Sequence, residues 1–284
     1  MKFKKFNPTE ISIKDTYQLL ISGIAPRPIA LVSSIDLNGV LNLAPFSFFN
    51  GFGANPPIVG FSPALSGKTG LPKDTLLNIE DTKEFTISIV TSEIVEQVSL
   101  SSCSYDRQVD EFVKSGLNKY DSKLIAPPGV KDSPFFMECK LHKIIDLGGK
   151  PASGNLILGE VVMFHVNESI IDSSDKIDPV KIDQVGRSGG PFYVKTKNSL
   201  FSINKPNAKG IGFDMLPKEV LKSELSGNNL AKLAGVSTIP KLVDFDVSKY
   251  NNIKDCILDV EKLLSKNEVN DAWQIILNWL SENE

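Results

Sequence analysis

Two short stretches carry residue types that chemistry can use. The first, Asn42 to Asn50 (NLAPFSFFN), crowds small, hydroxyl and aromatic side chains between two extended runs. The second, Lys73-Asp74-Thr75, opens a short helical stretch, DTLLNIEDT. A helix N-terminus offers free N–H donors and a favourable dipole to an anion, and Lys73 and Thr75 add a charge and a hydroxyl. A flat aromatic ligand that carries a phosphate suits the pair. Each stretch alone also has a plain structural reading, as a strand end with buried phenylalanines and as an exposed helix cap.

Other motifs exclude alternatives. Gly67-Lys68-Thr69 begins like a nucleotide-binding P-loop, but that motif needs a glycine where Ser62 stands, and Pro63 follows. Gly51-Phe52-Gly53 begins like a dinucleotide fingerprint, yet Pro56 holds the third glycine position and no helix follows. His142 and His165 are the only histidines, each in an expected strand, and no Cys/His spacing suits a metal. They read as satisfied or exposed strand residues. No catalytic triad and no conspicuous carboxylate pair is found. Gly189-Gly190-Pro191-Phe192-Tyr193 reads as a turn into a short strand.

The elements that must position these residues follow from pattern. Residues 12 to 22 predict a first helix, with Ser12 as cap and Asp15 in the capping-box position. Ile29 to Ser34 and Val40 to Leu43 predict strands joined by an Asn38-Gly39 turn, and Ile58 to Phe61 predicts a third. Asp74 is expected to cap the helix DTLLNIEDT. Phe85, Ile87 and Ile89 alternate with Thr86 and Ser88, the period of a half-buried strand. Ser92 is expected to start a helix, SEIVEQVSL. Phe136 to Asp146 and Leu156 to Val166 predict two long paired strands. After residue 205 the pattern turns helical, with pieces broken at Ser226-Gly227 and two amphipathic helices that break near Asn267. Trp273 and Trp279 are expected in their core. The division is 1–205 and 206–284, the second part being either a domain or a helical appendage.

Composition sets outer limits. With 284 residues, 41% hydrophobic and 23% charged, the chain is ordinary for a globular protein, and a net charge of −3 gives no reason to expect nucleic acid or an anionic membrane as partner. No run is long enough to span a bilayer, and the N-terminus lacks a secretory apolar region. Cys103, Cys139 and Cys256 lie far apart and read as reduced thiols of a cytoplasmic protein. The sequon Asn167-Glu168-Ser169 is then accidental.

In order along the chain, PRPIALVSS, the Asn-Gly turn, NLAPFSFF, KDTLLNI and EFTISIV resemble the flavin reductase-like family, which binds FMN in a split β-barrel. The resemblance covers residues 15 to 205. It implies a mainly β (α+β) fold, an FMN-binding split β-barrel of Greek-key type with peripheral and C-terminal helices. It further implies that Ala44, Pro45, Phe46, Ser47 and Phe48 contact the flavin, with Ser33 and Asn42 beside them. Lys73, Asp74 and Thr75 would hold the phosphate, Asn78 lies in the same stretch, and Lys68 sits on a loop over it. Gly190 and Tyr193 would border the nicotinamide or substrate space, so bulk at Gly190 should crowd it, although Ser188 stands where an apolar residue is expected. The implied activity moves hydride from NADH or NADPH through FMN to free flavin, a ferric chelate or a protein acceptor. Such chemistry needs no protein acid or base, because the cofactor carries it. A carrier or store of FMN without turnover stays open as the other reading, and pyridoxine-phosphate oxidase, on a similar barrel, matches the fragments less well. In the family a second subunit completes the flavin groove, which implies a homodimer.

Overall fold

Turn chemistry starts the sheet. The Asp36 carboxylate accepts from the amides of Asn38 (2.9 Å) and Val40 (2.8 Å), and Gly39 takes φ +86°, a conformation that glycine adopts at little cost. The chain thereby folds β1 (Ala30–Ile35) antiparallel onto β2 (Leu41–Phe46). Next come β3 (Phe49–Ala54), β4 (Pro57–Phe61) and β5 (Glu84–Ile89), then two two-residue strands, β6 (Lys119–Tyr120) and β7 (Gly129–Val130). The long strands β8 (Phe135–Asp146) and β9 (Asn155–Val166) follow, and β10 (Val185–Arg187) pairs with β11 (Tyr193–Lys195).

Seven strands form one antiparallel sheet in the order β2-β1-β5-β8-β9-β4-β3. Strands β2 and β3 sit at opposite edges of this sheet, yet only Ser47 and Phe48 separate them in the chain. The sheet must therefore curl until its two edges approach, and the seam between them is the split of a split barrel. Its interior is filled by Val32, Phe61, Phe85, Ile87 and Ile157, each fully or almost fully buried. Phe61 meets Phe85 edge to face at 5.6 Å. Gly159 makes room for this pair, since a Cβ there would lie 2.3 Å from Phe85 Cζ.

Helices cover the rest of the barrel. They are α1 (Ile13–Gly23), α2 (Asp74–Thr82), α3 (Val95–Leu100) and α4 (Glu111–Ser115). Ser12 caps α1 through the amide of Asp15, as its spacing predicts. Leu76 and Ile79 of α2 enter the barrel core, while Val98 and Phe112 cover the outer face of β1 and β2 with Leu31 and Leu43.

Three expectations need correction. The corner Asn42–Asn50 is not a break between strands, because its first half continues β2 and its second half opens β3. Asp74 is not the cap of α2; Lys73 takes that position without a side-chain cap bond, and Asp74 is the first helical residue. Ser92 starts no helix, since its hydroxyl is bonded to Asp183 and α3 begins at Val95.

The computed structural model describes residues 1–203 and 209–283. It divides into two units, Met1–Leu200 and Phe201–Glu284, and the boundary expected between residues 205 and 206 lies outside the described residues. Within the second unit, α5 (Lys218–Leu221), α6 (Gly227–Ala234), α7 (Ile253–Ser265) and α8 (Val269–Asn283) enclose Leu233, Val260, Leu264, Trp273 and Ile276. The Ser226-Gly227 break is the capped start of α6, and Asn267 takes φ +61° between α7 and α8. Trp273 is fully buried and its indole N–H donates to the Leu233 carbonyl at 3.1 Å. Among the described residues, no helix is long and apolar enough to cross a membrane and no cluster of His, Cys, Asp or Glu could hold a metal ion.

Candidate functional site

Strand alternation sorts the corner residues. Asn42, Ala44 and Phe46 share the inward face of β2, and Phe46 packs on Phe61 at 5.2 Å. Leu43, Pro45 and Ser47 fall on the other face. Directly opposite on β1, Ser34 pairs with Asn42 and Ser33 with Leu43.

A polar network joins the inward face to α2. Asn42 Nδ2 donates to Thr75 Oγ1 (2.8 Å) and to Ser34 Oγ (3.3 Å), and Asn78 Nδ2 donates to the same Ser34 Oγ (3.2 Å). Asn42, Thr75 and Asn78 are buried, so these bonds satisfy groups that would otherwise be costly to bury. Arg107 extends the network to the surface, donating to Asn78 Oδ1 (3.1 Å) and to Asp74 Oδ1 (3.2 Å). The amides of Asp74 and Thr75, in the uncapped first turn of α2, have no partner among the described residues. The Lys73 side chain is exposed and makes no hydrogen bond there. Together these groups form a surface patch of free N–H donors beside two cations and one carboxylate.

On the other face of β2, an open cavity of about 220 Å³ lies between the corner and the β10–β11 pair. Ile29, Pro45 and Val98 give it an apolar lining; Ser47, Ser99 and Arg187 supply hydroxyl and guanidinium donors, the Ser102 hydroxyl donates to the Ser99 carbonyl at 2.6 Å, and Tyr193 completes the lining. The Arg187 guanidinium lies over the Tyr193 ring at 4.5 Å and donates to the Phe192 carbonyl at 3.0 Å. Arg27 and Arg187 exchange backbone hydrogen bonds of 2.9 and 2.8 Å. Arg27 Nη1 ties the end of α1 through the carbonyls of Ile21 and Ile24, both at 2.6 Å, and Arg27 Nε approaches Ser47 Oγ at 3.4 Å. Burial pushes the Arg27 pKa down, and the charge of Arg187 acts in the same direction.

Nearby, Glu111 accepts from the Leu43 amide at 2.9 Å and so covers the free edge of β2; burial raises its pKa.

The structure thus brings part of the expected set together. Asn42, Thr75 and Asn78 share one network with Asp74, and Pro45, Ser47 and Tyr193 share one cavity. Ser33 does not join the network, which takes Ser34 instead; Ser33 Oγ is buried with no partner among the described residues. Ala44 and Phe46 face the barrel, and Phe48 stacks against Tyr17 and Arg27 outside the cavity lining. Lys68 lies on an exposed turn held between Ser66 and Gly70 and reaches neither cluster. At Gly190 an added Cβ would meet no protein atom within 4 Å and would project into open space, and the glycine serves φ +58°. At Gly189 the chain itself stands close, since a Cβ there would lie 2.5 Å from Ser22 Oγ. His165 is satisfied by Glu138 and His142 is exposed.

Sequence reading missed Arg107 and Arg187. Arg107 offers no signal beyond its charge in a loop-rich segment, and Arg187 stands two residues before the Gly-Gly pair without a motif of its own. The lining fits a flavin: Ile29, Pro45 and Val98 suit the face of a flat ring, and the Ser47 hydroxyl suits its ring acceptors.

Comparison with known proteins agrees with this geometry. The flavin reductase like domain family matches residues 22–177. An uncharacterized protein of Halalkalibacterium halodurans is 35% identical over 205 residues, which cover 71% of this chain and 96% of that protein. The crystal structure of nitrilotriacetate monooxygenase component B from Bacillus cereus aligns with TM-score 0.66 at 33% identity, over 72% of this chain and 99% of that one. The 2-nitrobenzoate 2-nitroreductase NbaA of Pseudomonas fluorescens aligns with TM-score 0.65 at 29% identity, over 76% of this chain and 99% of its own. A curled antiparallel barrel, a corner strand facing a polar-rimmed cavity and these likenesses lead to one conclusion: the chain belongs to the flavin reductase-like family of split-barrel proteins.

Proposed function

We propose that the first unit is an FMN-dependent oxidoreductase that uses NADH or NADPH. The observation that carries this reading is the open cavity in which Pro45 and Ser47 of the corner face Arg187 and Tyr193, residues about 140 positions away. Bound FMN would supply the redox chemistry, taking hydride from a nicotinamide and passing electrons to a small-molecule or protein acceptor. The chain's residues bind, orient and shield. Pro45, Ile29 and Val98 offer a flat apolar seat. Ser47 presents a hydroxyl to ring oxygens and nitrogens. The free amides of Asp74 and Thr75, with Lys73 and Arg107, suit a phosphate. No histidine is assigned a proton. Titration of the purified protein with FMN and with riboflavin, followed by flavin absorbance, tests the phosphate grip. FMN is expected to bind more tightly; equal affinities would remove that assignment.

The same reading makes the protein a cytoplasmic homodimer, with residues 206–284 as a separate helical extension. Helix α1 buries only Ile21 and exposes Ile13, Tyr17, Leu19 and Leu20, Ile24 just after it is exposed, and Phe52 of β3 is 59% exposed. Apolar faces of this kind are covered in assemblies more often than left wet. Light scattering should therefore give the mass of two chains at micromolar concentration, and a stable FMN-bound monomer would contradict the dimer.

A further inference from the structure

We infer that the rim of the cavity recognises a carboxylate, so that the acceptor is a small planar acid held by Arg187; this deepens, and rests on, the reading of the cavity as the redox site. A guanidinium has five N–H donors in a fixed planar fork. Among the hydrogen bonds of the described residues, the Arg187 side chain makes one, from Nη1 to the Phe192 carbonyl. No carboxylate pairs with it among the described residues, and none lines the cavity. Arg187 is partly buried as a residue, and its guanidinium lies over the Tyr193 ring, which covers one face and orients the plane of the fork. A guanidinium with one face covered and donors unused is a good ligand for a planar anion.

Neighbouring groups strengthen the positive field without filling the donors. Arg27 is buried directly behind, but its Nη1 is committed to the carbonyls of Ile21 and Ile24. Arg27 therefore adds charge and Arg187 adds contact. The remaining polar lining, Ser47, Ser99 and Ser102, is neutral. One free fork matches a monoanion; a pyrophosphate or phosphate dianion calls for more cationic donors than this rim offers. Ile29, Pro45 and Val98 seat the flavin in the parent reading, so a ring on the acid would lie on the open side of that seat.

Benzoate is a redox-inert probe of this site, and benzamide is its neutral counterpart of the same shape. Binding of each is measured by ligand-observed NMR on the FMN-free chain, and by the shift in flavin absorbance on the FMN-loaded chain. Benzoate is expected to bind about tenfold or more tightly than benzamide. Arg187→Gln should abolish that preference, and Arg187→Lys should restore part of it, with circular dichroism confirming that both variants fold. Equal binding of benzoate and benzamide, or an unchanged preference in Arg187→Gln, would overturn the inference. Displacement of benzoate by inorganic phosphate at equal concentration would overturn it in favour of a phosphate ligand. Failure of FMN to bind would defeat the parent reading, while the FMN-free NMR comparison still decides the carboxylate.

Discussion

Replacing Arg107 with alanine is expected to weaken FMN binding by about 1.5–3 kcal/mol, or roughly ten- to a hundredfold, while riboflavin binding changes little. Two effects combine. The guanidinium is lost as a donor to the phosphate, and the carboxylate of Asp74, 3.2 Å away in the wild type, is left unmasked beside the uncapped turn of α2. An unpaired carboxylate there repels the phosphate that the free amides of Asp74 and Thr75 attract. The double variant Arg107→Ala/Asp74→Asn should therefore recover part of the affinity. Lys73→Ala should cost about 1–3 kcal/mol by the first effect alone. Folding stability should hardly move with Arg107→Ala, because the ion pair is half exposed and such pairs contribute little. Isothermal titration with both ligands measures the affinities and chemical denaturation the stability, and equal losses for FMN and riboflavin would rule out the phosphate role.

The largest effect on stability is expected at Glu138. This carboxylate is fully buried and accepts from the amides of Lys123 and Leu124, both at 2.7 Å, and it pairs with His165 Nε2 at 2.6 Å. Phe136 stacks on the same imidazole at 4.1 Å, so the group clasps residues 119–130 onto β8 and β9. Glu138→Ala leaves two partly buried amides and the His165 ring without their partner and should destabilise the first unit by about 2–4 kcal/mol in chemical denaturation. Burial raises the Glu138 pKa, and the two amides and His165 more than offset it, so the net shift is downward. A lowered carboxylate pKa gives stability that is present above the unfolded value, about 4.3, and is lost as pH falls through the folded value. Acid unfolding below about pH 4 should accordingly be less steep in Glu138→Gln than in the wild type. A parallel pH dependence in the two proteins would contradict this.

Much of the barrel is legible in the sequence because its signals are local. The Asp36–Gly39 turn, the alternation of Phe85, Ile87 and Ile89, and the Ser12 cap all appear where residue types place them. Strand β3 is not legible. It exposes nearly all its residues and contains Gly51 and Gly53, so it has neither alternation nor β-forming composition. Register is equally hidden: Ser33 and Ser34 look alike in sequence, yet only Ser34 joins the α2 network, because one residue turns a strand side chain to the opposite face. Arg107 reaches Asn78 across 29 positions of chain, and Arg187 enters the cavity only through the β10–β11 pairing. Contacts set by long-range folding leave no mark in spacing. The helical tail is legible as helices because its amphipathic pattern is local and Ser226 and Asn267 are ordinary start and stop residues.

Whether the cavity serves turnover is decided by anaerobic stopped-flow reduction of the FMN-loaded protein. The reacting carbon of the nicotinamide must come within about 3–3.5 Å of the flavin for transfer. NADH or NADPH is expected to bleach the flavin absorbance within catalytic times, at a rate little changed in His142→Ala, since that side chain is exposed on β8. Bleaching by dithionite with none from either nicotinamide would contradict the account and leave a flavin carrier.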